Sequence, residues 1–299
     1  MRKMLRTKFC LFVTSALILP IASYAQLGEQ APAVKPSSHM ESHVGNLTGH
    51  SEPGRELYFR YCWGCHGPHG DGNGENAAYL NPTPRNFVAA VFKCRSTITG
   101  TLPTDQDLYN SIGRGFNFTN MPSWIALTDQ DRANLVAFIK TFSPRWVTEK
   151  PGTPIPIPPE PKLTLASIQH GQQLFQKLEC WKCHGQEGRG DGPSASTLTD
   201  SNDQPIRPYN FTADNRSKCG STNQDLYKIF MTGVDGTPMP SFADVVKPEE
   251  AWDLVHFLRT LQYNNPSPEL TLWESTPEGK AIVAAKRVDQ TNTGSGEKP

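Results

Sequence analysis

The chain has 299 residues, with 29 Lys and Arg against 29 Asp and Glu, a formal net charge of zero. That length suits one large domain or two of ordinary size, and a balanced charge with no basic stripe argues against a nucleic-acid binder. Hydrophobic residues make up only 36%, while Gly (24) and Pro (26) are abundant; so poor a supply of core-formers calls for a disulfide, a metal or a large buried group to complete the interior.

Residues 1–25 read as a secretory signal. Arg2, Lys3, Arg6 and Lys8 make a basic start, Phe9 to Ala22 is apolar, and Ser23, Tyr24 and Ala25 precede a cut expected before Gln26. The apolar run falls short of the roughly 20 residues a spanning helix needs, so cleavage is expected over an uncleaved membrane anchor. Cleavage would remove four basic residues and leave 25 Lys and Arg against 29 Asp and Glu, a net of −4. Residues 26–50 are expected to be a flexible lead-in, with His39, His43 and His50 in solvent.

A first domain is expected at 51–147. A helix, "RELYFRYC", leads into "YCWGCHGPHGDG"; a second starts at Thr104, a residue suited to cap it; "TDQDRANLVAFIKTF" forms the last. Residues 148–162 contain "EKPGTPIPIPPEPK", a semi-extended Pro-rich linker. Residues 163–263 then repeat the first domain. Cys62, Cys65 and His66 recur as Cys180, Cys183 and His184 at an offset of 118, as do "DQDLYNSI" and "MPSW" as "NQDLYKIF" and "MPSF"; "PRNF" recurs as "PYNF" at 124. The second copy also ends in an amphipathic helix, with Trp252, Val255, Leu258 and Leu261 in an i, i+3 stripe. The reading is all-α, and the length differences fall in polar loops, where insertions cost little. Residues 264–299 are expected to be a polar tail with one helix at 277–287.

Two cysteines three positions apart sit on neighbouring faces of one helical turn, and the histidine follows directly. That spacing, C-x-x-C-H, is the attachment signature of heme c: each thiol adds to one vinyl group, and the imidazole is aimed at iron. The competing uses of C-x-x-C are a redox dithiol, which needs a thioredoxin-like sheet that the sequence does not suggest, and structural zinc, which needs four ligands drawn together. Occurrence twice in a tandem repeat favours two covalently bound hemes. The sixth iron ligand follows by elimination. Met121 lies 55 residues beyond His66 and Met239 lies 55 beyond His184, both in "T-x-M-P-S-aromatic". A thioether is a soft ligand, and the neighbouring proline stiffens its loop. Met231, on the middle helix, reads as packing. The expected ligand sets are therefore His66 with Met121 and His184 with Met239, and His/Met ligation raises the reduction potential.

Through these motifs the chain resembles a tandem diheme class I c-type cytochrome over both copies. The resemblance implies two all-helical domains, each wrapped around one heme with an edge exposed. It also implies a proline carbonyl accepting a hydrogen bond from each proximal histidine, for which Pro84 and Pro208 are the matching positions. Cys94 and Cys219 remain. Both follow a lysine and precede the middle helix, and three readings stay open: a disulfide tying the domains, inert thiols, or one thiolate competing for iron. The glycine-rich loops after the histidines lack the lysine and hydroxyl of a phosphate loop and read as tight turns beside the porphyrin. His69 is too close to His66 to reach the far face of the same heme, and His256 reads as packed or surface.

Two irons with both axial positions filled leave no open site for substrate. The expected function is therefore a periplasmic electron carrier of a respiratory chain. Its redox protein partners would be a periplasmic dehydrogenase, a quinol-oxidising complex, or a terminal oxidase or reductase, met through small transient contacts. The alternatives are a diheme redox enzyme of the sulfur-compound dehydrogenase or peroxidase type, and an electron-transfer subunit of a membrane oxidoreductase complex.

Overall fold

The computed structural model describes residues 39–213, 216–262, 268–277, 279–281 and 284. The expected signal and the start of the lead-in lie outside these residues. The rest of the lead-in is not flexible: β1 (Glu41–Val44) and β2 (Leu47–His50) form an antiparallel hairpin. A helix then runs over α1 (Ser51–Tyr61), with a single turn, α2 (Trp63–His66), after it. The middle helix is α3 (Asp105–Arg114); the long helix α4 (Asp129–Lys140) and the short α5 (Arg145–Thr148) close the first domain. The second copy runs α6 (Leu165–Lys177), α7 (Trp181–His184), α8 (Asn223–Thr232) and α9 (Pro248–Thr260), with α10 (Pro268–Glu274) beyond it.

The caps sit where their residue types place them. Thr104 and Thr222 accept from the backbone N–H of Asp107 and Asp225, whose carboxylates accept from the threonine N–H in return. Each domain is built on a crossing of its first and last long helices, α1 with α4 and α6 with α9. A glycine sits at each crossing. A Cβ on Gly54 would stand 2.0 Å from the Asn134 carbonyl oxygen, and one on Gly171 2.0 Å from that of Asp253. Tyr58, Leu135 and Phe138 gather under the first crossing, and Ile168, Phe175, Trp252 and Phe257 under the second.

The hairpin is held because its polar atoms have partners on the first domain. The buried Ser42 hydroxyl donates to the Ala133 carbonyl, Lys140 Nζ to the Glu41 carbonyl, and the Asn134 side chain accepts from His50 N–H. The Pro-rich linker is extended but tied down: Gly152 N–H donates to the Leu102 carbonyl, Ile155 N–H to that of Ser96, and Trp252 Nε1 to that of Pro158. The tail is not wholly polar surface. Trp273 on α10 is fully buried against Phe257. Residues 277, 279–281 and 284 are helical, and the remainder of the helix expected at 277–287 lies outside the described residues. Among the described residues no helix is long and apolar enough to cross a membrane.

Candidate functional site

In the first domain the backbone turns once through the signature: His66 N–H donates to the Cys62 carbonyl, which places both thiols and the imidazole on one helical turn. Gly67, at φ +80°, then reverses the chain, and the Tyr58 hydroxyl donates to its carbonyl. Gly185, also at φ +80°, makes the same reversal after His184.

Each imidazole is fixed from both sides. His66 Nδ1 donates to the Arg85 carbonyl at 3.0 Å and His184 Nδ1 to the Tyr209 carbonyl at 3.0 Å. A carbonyl accepts only, so Nδ1 carries the proton and Nε2 is the lone-pair nitrogen. Phe87 lies against the His66 ring at 4.5 Å between centroids, and Phe211 against His184 at 4.7 Å. Burial lowers the basicity of both imidazoles and favours the neutral form a metal needs. The carbonyl acceptors correct the expectation of Pro84 and Pro208 by one residue. Those proline carbonyls instead face Gly72 and Gly190, where an added Cβ would stand 2.8 and 2.7 Å away. The proline faces the glycine turn, and the residue after it receives the hydrogen bond.

Met121 and Met239 sit at the tips of two matching turns. The Met121 N–H donates to Thr119 Oγ1 and its carbonyl accepts from Phe116 N–H; Met239 N–H donates to Thr237 Oγ1 and its carbonyl accepts from Val234 N–H. Serine pins each turn to the end of the middle helix, Ser123 Oγ to the Gly113 carbonyl and Ser241 Oγ to that of Met231. In the first domain Cys62, Cys65, His66 and Met121 all line one apolar cavity. In the second, Cys180 and Met239 are half-buried against one core, while Met231 is buried in it. Burial pushes the Cys62 and Cys180 thiols up to about 12. A redox dithiol needs the opposite shift.

Cys94 and Cys219 are bonded, Sγ to Sγ, with Cα atoms 5.2 Å apart. Their sulfurs are spent on joining the two domains, which removes the inert-thiol and iron-thiolate readings. Around this bond Arg95 reaches across to the Thr232 carbonyl and the Asp235 carboxylate, which also accepts from Gly100 N–H. His256 is buried, with Nδ1 2.8 Å from Ser167 Oγ; His39, His43, His50 and His69 are exposed.

Two thiols on one turn, a neutral imidazole presenting Nε2 and a thioether on the same apolar cavity fit a heme joined covalently to the chain. Fold and donor set define the class: a helical protein wrapped twice around such a group. The cytochrome c family matches residues 51–143 and again 168–262, and the chain belongs to that family. It has two cytochrome c domains, each with one covalently attached heme c, and its function is electron transfer. A solved chain of the reducing HAO-like protein complex of Kuenenia stuttgartiensis is similar at 41% identity and a TM-score of 0.69, over 71% of this chain and 96% of that one. A comparison with curated proteins gives no match.

Proposed function

We propose that the protein is a periplasmic electron carrier of a respiratory chain, passing electrons between protein partners through two six-coordinate hemes. Each heme iron supplies a one-electron couple. His66 and His184 would bind iron through Nε2, and Met121 and Met239 would fill the sixth positions. The observation that carries this reading is the identical presentation of the two methionines. Each is held at a turn by a threonine hydroxyl and pinned to the middle helix by a serine. Prefixed ligands on both faces mean little movement between oxidation states and no position open for substrate. The carbonyl bonds from Arg85 and Tyr209 fix ring orientation and tune the electron density the imidazoles offer.

The test is spectroscopic. The oxidised protein is expected to show the weak long-wavelength charge-transfer band of methionine-bound ferric heme at an intensity of two per chain. M121H should abolish half of it and lower the potential of one heme. A high-spin signal, or ready carbon monoxide binding to the reduced protein, overturns the carrier reading in favour of a diheme redox enzyme. A second reading has its own support. The similar solved chain belongs to a protein complex, which favours service as the electron-transfer subunit of a larger oxidoreductase. Native co-purification distinguishes a free shuttle from a subunit.

A further inference from the structure

The cavity that holds Cys62, Cys65, His66 and Met121 is lined by first-domain residues with one exception, Lys218 of the second domain. Apart from His66, three titratable cations line it, Arg85, Lys93 and Lys218, and no Asp or Glu does. Among the described residues no hydrogen bond or ion pair holds any of these three side chains. Asp200 is the carboxylate whose field reaches all three, and its Oδ1 is occupied in its own turn by Asn202 N–H and Gln204 N–H. Lys93 and Lys218 precede Cys94 and Cys219, so the disulfide draws them together. Burial and the neighbouring cations push the Lys93 amine down to about 8, and burial lowers Lys218 as well. Like charges gathered in a half-buried apolar cavity destabilise it unless an anion joins them.

The heme brings that anion. Its two vinyl groups are spent on Cys62 and Cys65, and its two propionate carboxylates carry the negative charge that such cations stabilise. We infer that Arg85, Lys93 and, from across the domain boundary, Lys218 receive the propionates of the first-domain heme, so that the second domain completes the first heme's binding site. This rests on the two-heme reading above. It also makes the hemes inequivalent, because the repeat places Tyr209 where the first domain has Arg85.

The test uses the full-length, heme-loaded, disulfide-bonded protein, with two hemes confirmed from its pyridine hemochrome spectrum. K218Q removes a cation beside one heme, which disfavours its reduced form. The expected result is a lowered midpoint for one of the two hemes, with the other at its wild-type value. The carboxylate bands of 13C-propionate heme in the reduced-minus-oxidised infrared spectrum should shift as well, and K218R should restore both readouts. K93Q should act on the same heme, whereas K150Q, an exposed lysine lost from the linker, should move neither readout. Unchanged midpoints and bands in K218Q overturn the inference, as does an equal shift of both hemes, which marks a distant field. Should K218Q fail to accumulate, K93Q and the wild-type infrared spectrum decide, and propionate bands at the position of water-exposed carboxylates overturn it. A wrong methionine assignment would appear in the charge-transfer band and leave the propionate bands where they are.

Discussion

Gly171→Ala separates the packing argument from helix propensity, because the two predict opposite signs. In an unobstructed helix interior the change stabilises by about 1 kcal/mol. On α6 the new Cβ would meet the Asp253 carbonyl oxygen at 2.0 Å and Phe257 Cβ at 2.8 Å, where close carbon–oxygen contacts begin at roughly 3.3 Å. Both partners are backbone or backbone-proximal, so no side-chain rotation relieves the clash. The α6–α9 crossing must open by about 1 Å, loosening Ile168, Phe175 and Trp252 beneath it. Overpacking of this kind costs roughly 1–3 kcal/mol, and the rigid partner puts it at the upper end. Subtracting the propensity gain leaves a net loss of about 2 kcal/mol. For a domain of this size that lowers Tm by on the order of 10 °C.

The assay is thermal unfolding of the heme-loaded protein, followed at once by helix circular dichroism and the Soret band. Gly113→Ala is the control: its Cβ would meet Arg132 Nη1 at 2.5 Å, the far end of a long side chain rather than backbone. It should change stability by under about 1 kcal/mol. A Gly171→Ala protein as stable as the parent, or more so, would refute the account of the crossing.

The disulfide closes a sequence separation of 125 residues. C94S/C219S should therefore lose several kcal/mol, up to about 5 in the chain-entropy picture, and calorimetry should show the two domains melting as separate transitions. Lys140 Nζ donates to the Glu41 carbonyl and to Asp105, at 2.7 and 2.8 Å. K140M leaves the Asp105 carboxylate without its cation, held among the described residues only by His43 N–H, and loosens the hairpin, for a loss of about 3 kcal/mol and rapid proteolytic cutting near residue 45. Burial holds the His256 imidazole below its ordinary value, so near and below about 6.5 the unfolded chain binds a proton that the folded one does not. That share of stability is present at neutral pH and lost as pH falls, and H256Q should flatten the decline in urea midpoint between neutrality and acid.

The repeat carried most of the legible information. Motifs at a constant offset of 118 gave the domain duplication, both attachment turns and the capped middle helices, because those features depend on residues close in sequence. The hairpin at 41–50 was hidden because its stability comes from Ala133, Asn134 and Lys140, about 90 residues away, and not from strand alternation. The histidine acceptors were misplaced by one residue because a backbone carbonyl leaves no side-chain signature; the aromatic of "P-x-N-F", which stacks on the histidine, was the available cue. Trp273 was an apolar residue in a stretch whose composition was otherwise polar, and a single side chain does not change a compositional reading. The cation cluster was unreadable for a different reason. Lys218 reaches the first domain's cavity where the disulfide and its neighbouring contacts hold one copy against the other.

The boundary between the copies joins equivalent cysteines and is extended by residues the repeat does not share. Both histidine bonds, both methionine turns and both capped helices are common to the two domains. Just after the disulfide cysteines the correspondence fails. Arg95 follows Cys94 and reaches the Thr232 carbonyl and Asp235, whereas Gly220 follows Cys219 and has no side chain to extend. Arg85 faces the first cavity, and its counterpart is Tyr209. Equal domains joined at equivalent cysteines would give two matching sites. Here the first copy extends Arg95 across the boundary and lines its own cavity with Arg85, so the difference between the copies is concentrated beside the disulfide.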